Sequence, residues 1–220
     1  MIQLTKTATR LSGSAADLEC LRKQFEQRHY IRLPQFVEIQ LVRLFQHGID
    51  HAKFYERVHK NGGTPPPIDH CMKDNSTTGF LYFLVNDSSL FKLIQQITGC
   101  APIGCFCGAV YRLVPGLHYD SWHSDVNSKR MVAMSINLSR DLYSGGILQI
   151  REKNSLGILH EVANTGLGDA VIFRISPQLQ HRVSKIEGAV ARTAYAGWFQ
   201  SEPNFLSQLK ERAALPVVES

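Results

Sequence analysis

His123 and Asp125 stand two residues apart in the segment YDSWHSDVNSKR. On an extended chain, residues i and i+2 project to the same face, so this imidazole and carboxylate can converge on one ion. Neutral imidazole with carboxylate suits Fe(II), Zn(II) or Mn(II). A His-x-Asp pair arises often by chance, and its weight comes from a second histidine. His181 follows GLGDAVIFRISPQLQ, which reads as a turn, a buried strand and then a polar loop. Two ligands from one strand and one from a distant strand make a facial triad. His123, Asp125 and His181 would then leave three coordination positions open, enough for a bidentate 2-oxo acid and dioxygen. A structural zinc site would want four protein ligands, often thiolates, and no cysteine lies near these residues in sequence.

Arg192 is the fourth element. It opens RTAYAGWF, eleven residues after His181. Strand alternation puts Arg192, Ala194, Ala196 and Trp198 on one face, and the two alanines leave volume beside the guanidinium. An arginine inside a barrel is costly unless an anion pairs with it. The distal carboxylate of 2-oxoglutarate suits that role through bidentate, charge-assisted hydrogen bonds. The competing reading is a surface arginine in a salt bridge. His29, His47, His51, His59 and His70 lie in predicted helices or a loop. His160 lies on a strand with no carboxylate at ligand spacing. All six read as structural.

These side chains need a frame. Residues 1 to about 60 read as helical, with Leu18, Leu21 and Phe25 at helical spacing after a cap at Ser14. A second helix is expected just after Pro34, carrying Val37, Leu41, Leu44 and Phe45, with Gly48 weakening or ending it. Residues 61–79, NGGTPPPIDHCMKDNSTTG, read as a long loop, either a substrate lid or a connector. A short helix follows over 87–98, capped by Asp87 or Ser88. From residue 105 the pattern becomes short strands: CFCGAVYRL, RMVAMSINL, GGILQIRE, GILHEVA, DAVIFRI and ARTAYAGWF. Regularly spaced short strands predict a jelly roll. Helices first and strands after give an α+β arrangement, with helices bracing one outer face.

The chain has 220 residues, 44% of them hydrophobic, enough for a sizeable core. We expect one domain over 1–220, with helical support and loop in 1–100, a catalytic core in 101–200 and a tail in 201–220. The formal net charge of +5 comes without a Lys or Arg run resembling a nucleic-acid arm. No nucleic-acid or membrane partner is expected. No apolar stretch has membrane-spanning length, and the first residues lack a signal-peptide core. Cys20, Cys71, Cys100, Cys105 and Cys107 are odd in number and suggest no disulfide framework, so the reading is a cytoplasmic protein with reduced thiols.

Residues about 100–200 resemble the prolyl-4-hydroxylase-like branch of the Fe(II)/2-oxoglutarate oxygenases. The matching features are VPG, His123-Ser-Asp125, SGGILQI, GDAVIF, His181 and RTAYAGWF, in the same order. Residues 31–48 and 87–99 resemble the helices that commonly precede this core. The resemblance implies a double-stranded β-helix (jelly roll), Fe(II) at His123, Asp125 and His181, and 2-oxoglutarate at Arg192. Ascorbate would keep the iron reduced. Many relatives place a tyrosine on the cosubstrate; here Tyr111 or Ser135 would take that part. Beside the metal motif, His118, Tyr119, Asp120 and Trp122 crowd together, and Tyr119, Trp122 and Asn137 are the candidate substrate contacts. The implied reaction hydroxylates an unactivated C–H of an amino acid, peptidyl residue or small metabolite, free or carrier-bound, and releases succinate and CO₂. Desaturation or cyclisation with the same cofactors is the alternative. Asp125 argues against halogenation, because related halogenases have a small residue there. A cupin-like metalloprotein or a binding module without 2-oxoglutarate is the reading from another class, and Arg192 would have no evident job in either.

Overall fold

The structure, a computed structural model, describes residues 1–58, 68–118 and 120–214. A hairpin of β1 (Ile2–Leu4) and β2 (Thr9–Leu11) opens the chain. Helix α1 (Ala15–Arg28) starts at Ser14, whose side chain accepts from the Asp17 amide while the Asp17 carboxylate takes the Ser14 amide. This reciprocal box satisfies two amides that a helix start leaves bare. The chain then forms β3 (Tyr30–Leu33), α2 (Ile39–Asp50), β4 (Phe54–Val58), β5 (Ile68–Met72), α3 (Ser76–Val85) and α4 (Ser88–Thr98). Asp87 caps α4 by accepting from the Ser89 amide.

The strand-rich part follows as β6 (Cys105–Leu113), β7 (Arg130–Asn137), β8 (Ser144–Gly145), β9 (Leu148–Glu152) and β10 (His160–Val162). It continues through β11 (Ala170–Arg174), β12 (Leu179–Val183), β13 (Ile186–Glu187) and β14 (Arg192–Gln200), and α5 (Phe205–Ala214) comes last. A seven-stranded sheet in the order β3-β11-β7-β14-β6-β5-β4 faces a three-stranded sheet in the order β10-β9-β12. All their pairings are antiparallel. This is the expected jelly roll.

Alternation decides what each face of the large sheet does. Val132, Met134, Ile136, Ala170, Ile172, Tyr195 and Phe199 point outward and form the main core with Phe25, Phe45, Leu90 and Ile94 of the helices. Ala133, Val171 and Phe173 point inward and pack against Leu148, Ile150, Val162 and Leu179 of the small sheet. The helices thus brace one face, and the other is left for the site.

The first 60 residues are less helical than the sequence reading has them. β3 alternates buried Ile31 and Leu33 with exposed Arg32, and it pairs with β11 at the sheet edge. Helix α2 cannot start just after Pro34, because the neighbouring backbone is already in use. The Phe36 carbonyl accepts from the Leu4 amide, and the Val37 amide donates to the Gly168 carbonyl. Nor does Gly48 end α2; a methyl there would meet Thr77 Oγ1 at 1.9 Å, so glycine lets α2 lie close against α3. The segment read as a 61–79 loop contains β5 and the start of α3. Residues 59–67, and with them the lid expectation, lie outside the described residues. Among the described residues, no helix is long and apolar enough to cross a membrane.

A methyl added at Gly79 in α3 would meet nothing within 4 Å, so Gly79→Ala should raise stability by about 0.5–1 kcal/mol through helix propensity alone. Gly48→Ala should instead lower it by about 1–3 kcal/mol through overpacking. Urea unfolding of both variants measures the contrast.

Candidate metal centre and its cavity

His123 and His181 meet across a backbone bridge. The His123 amide donates to the His181 carbonyl at 3.1 Å, and the reverse bond is 2.9 Å. His181 is not in a polar loop, as the sequence reading has it, but in the middle of β12, opposite Ile150. It is buried, with its ring edge-on to Phe173. His123 and Asp125 do not share a regular strand; the bridge holds His123, and Asp125 follows in irregular chain. They converge nevertheless. Asp125 Oδ2 lies 3.2 Å from His181 Nε2, and Oδ1 lies 3.7 Å from His123 Nε2.

One ligand atom from each of the three residues lies within 4.8 Å of the others, so the group can hold a metal ion. The His123 ring is set for that task. Its Nδ1 is 2.7 Å from the Ser121 carbonyl, which can only accept, so Nδ1 carries the proton and the Nε2 lone pair is free. Asp120 reinforces this, with Oδ1 at 3.4 Å from His123 Nδ1 and Oδ2 accepting from the Val183 amide. Burial alone would raise the Asp125 carboxyl. The hydrogen bond from His181, the charges of His181 and His123, and the Trp198 N–H outweigh burial and bring it down to about 2.

A cavity of about 140 Å³ joins this group to Arg192, and its lining includes Ser135, Leu148, Asn164, Phe173 and Trp198. Arg192 is 7% exposed, and Nη2 donates to Ser135 Oγ at 3.0 Å. Its Nε is buried with no partner, and among the described residues no carboxylate pairs with the guanidinium. The surface salt bridge that competed in the sequence reading is therefore not the role of Arg192. A buried cation with unspent donors suits a bound dianion. Two imidazoles with a carboxylate suit Fe(II). The donor set and the orphaned donor thus fit iron and 2-oxoglutarate together.

The other candidate residues divide. Ser135 lines the cavity, and its Oγ accepts from Arg192 Nη2. Tyr111 faces Ala194 across the β6-β14 pair, but its hydroxyl takes a hydrogen bond from Arg57 Nη1 at 3.3 Å, away from the cavity lining. Asn137 is a correction. It is 1% exposed and absent from the cavity lining, with Nδ2 donating to the Gly166 carbonyl and Oδ1 accepting from the Ser139 amide. Trp122 also lies outside the cavity lining, with the Arg151 and Arg182 guanidiniums over its ring at 4.2 and 4.6 Å. Tyr119 lies outside the described residues. Of the histidines set aside, His29, His47, His51, His70 and His160 are absent from the cavity lining, and His59 lies outside the described residues. Sequence reasoning missed Asn164, whose Nδ2 donates to the Ser135 carbonyl while its buried Oδ1 is unpartnered. Only tertiary packing brings it there, and no local signal marks it.

Known proteins resemble the chain in the same region. Residues 109–200 match the family model of the 2OG-Fe(II) oxygenase superfamily. No curated protein sequence matches the chain. An oxidoreductase of the 2OG-Fe(II) oxygenase family from Burkholderia pseudomallei superposes with a TM-score of 0.65 at 13% identity, over 88% of this chain and 96% of that one. A Pseudomonas putida prolyl-4-hydroxylase gives 0.63 at 18% identity, over 84% and 99%. A Trichoplax adhaerens prolyl hydroxylase, solved with a hypoxia inducible factor oxygen degradation domain peptide fragment, gives 0.62 at 14% identity, over 93% and 98%. The chain shares the fold of these oxygenases, and its segment 109–200 is similar to their superfamily. The matched segment runs from β6 to the end of β14, the part of the chain that carries His123, Asp125, His181 and Arg192.

A carboxyl whose folded-state value is depressed stabilises the fold above its ordinary value, and that contribution disappears as pH falls through the depressed one. For Asp125 the window runs from 3.8 down to about 2. In metal-free protein, wild type should lose on the order of 2 kcal/mol relative to Asp125→Asn across this window. Denaturant unfolding at stepped pH measures it; parallel curves would contradict the ion-paired carboxylate.

Proposed function

We propose that His123, Asp125 and His181 are the iron ligands, that Arg192 and Ser135 hold the distal carboxylate of 2-oxoglutarate, and that the substrate is an amino-acid residue within a peptide. The observation that carries the proposal is the partnerless Arg192 donor in the same cavity as the metal-binding group. The peptide reading draws on the two prolyl hydroxylases of similar fold, one of them solved with a peptide fragment.

The residues divide the work. His123 presents Nε2 because Ser121 fixes its tautomer. His181 and Asp125 complete a face of neutral and anionic donors. Arg192 Nε and Nη atoms neutralise the dianion's far end, and Ser135 Oγ, which already accepts from Arg192, has its own proton to donate. Leu148, Val162, Val171 and Phe173 make the walls apolar and limit water at the reacting end. Iron bound here would activate dioxygen and couple decarboxylation of 2-oxoglutarate to succinate with oxygen insertion into a substrate C–H bond. All five cysteines are free, which supports a reducing, cytoplasmic setting.

Arg192→Met removes the charge and keeps much of the stem. The KM for 2-oxoglutarate should rise by about 10–100-fold, the worth of losing hydrogen bonds to a charged group, with metal affinity unchanged. An unaltered KM would contradict the assigned role. Substrate class is tested by incubating the holoenzyme with proline-containing peptides and with free amino acids. The peptide reading predicts succinate release in step with a mass gain of one oxygen on a peptide; gain on a free amino acid alone would overturn it.

A further inference from the structure

Asp125 receives two hydrogen bonds from side chains that are not metal-binding groups. Trp198 Nε1 donates to Oδ2 at 2.7 Å, and Arg130 Nη1 donates to Oδ1 at 3.2 Å. The two donors also touch each other, with the Arg130 guanidinium carbon 3.5 Å from the centroid of the Trp198 ring. They come from neighbouring strands of the large sheet: Arg130 opens β7 opposite Gln200, and Trp198 lies on β14 opposite Ala133. Asp125 belongs to no strand. Its own backbone therefore has no ladder to fix it, whereas both donors stand on a paired sheet.

From this arrangement we propose that Arg130 and Trp198 are positioning residues, a stacked clamp that holds the Asp125 carboxylate toward His123 and His181 before a metal arrives. The inference rests on the reading of Asp125 as a metal ligand. Three physical features support it. Both carboxylate oxygens carry a donor, so rotation of the group would break one bond or the other. The Asp125 side chain is 14% exposed and that of Arg130 27%, so water competes poorly for these bonds. The Arg130 Nε is buried without a hydrogen-bond partner, which leaves the indole face and the carboxylate as what holds the guanidinium. The chemistry is specific: phenylalanine would keep the stacking face and lose the donor, and lysine would keep the charge and lose the planar stack. Partners that orient a metal ligand contribute to affinity without touching the ion.

The test uses metal-free protein without oxygen, 2-oxoglutarate or substrate, titrated with Mn(II) and read as free Mn(II) by electron paramagnetic resonance. Trp198→Phe and Arg130→Met should each weaken Mn(II) binding by about 10–100-fold, while thermal unfolding of the metal-free protein stays near wild type. Arg130→Lys should recover part of the loss. The double variant should lose less than the product of the two single losses, because both act through one carboxylate. Asp125→Ala is the reference. If it loses Mn(II) while both single variants bind as wild type, the clamp is wrong and the ligand assignment stands. If Asp125→Ala itself binds as wild type, the ligand assignment fails and the clamp with it. Should Trp198→Phe fail to fold, Arg130→Met and Arg130→Lys decide the same question.

Discussion

Two backbone hydrogen bonds between His123 and His181 tie the site together. They join the irregular chain that carries Asp125 to the middle of β12, and β12 is fixed in turn by its ladder to β9. Without that bridge the two imidazoles would belong to separate, independently moving segments. The adjacent residue strengthens it. Trp122 lies under the Arg151 and Arg182 guanidiniums, and those arginines are hydrogen-bonded to Gln180 and Gln149 on the same small sheet. Trp122, read from the sequence as a substrate contact, is better understood as the anchor of the chain that presents His123.

Charge follows from the same geometry. Asp125 is one carboxylate beside two imidazoles, and Arg192 lines the same cavity. A buried arginine without an anion is a standing cost to the fold. Such a cost persists when binding relieves it, and a dianionic cosubstrate would do so. Ala196, on the same face of β14 as Arg192, lines that cavity. Larger side chains there would fill the volume the cosubstrate needs.

The elements visible in the sequence are those whose signals are local. The Ser14 and Asp87 caps, the alternation of RTAYAGWF and the strand GDAVIF all appear where their residues predict. The triad and Arg192 could be picked out because each follows a strand or turn signal at characteristic spacing. What escaped depends on pairing between distant segments. β3 is a strand because β11 lies beside it, and β12 because β9 does. The donors to Asp125 are set by strand register, Asn164 by a carbonyl contact to Ser135, and Asn137 by its bond to the distant Gly166 carbonyl. None of these is encoded by the neighbours of the residue in sequence.

In the proposed arrangement one cavity holds iron on His123, Asp125 and His181 and 2-oxoglutarate on Arg192. That arrangement is tested most directly by adding Fe(II) and then 2-oxoglutarate to the protein without oxygen and recording the visible spectrum. A weak charge-transfer band that needs both additions, and that Asp125→Ala abolishes, is the predicted result. A wild-type protein that binds Fe(II) and 2-oxoglutarate yet shows no such band would contradict the account, because the two would then not meet at the metal.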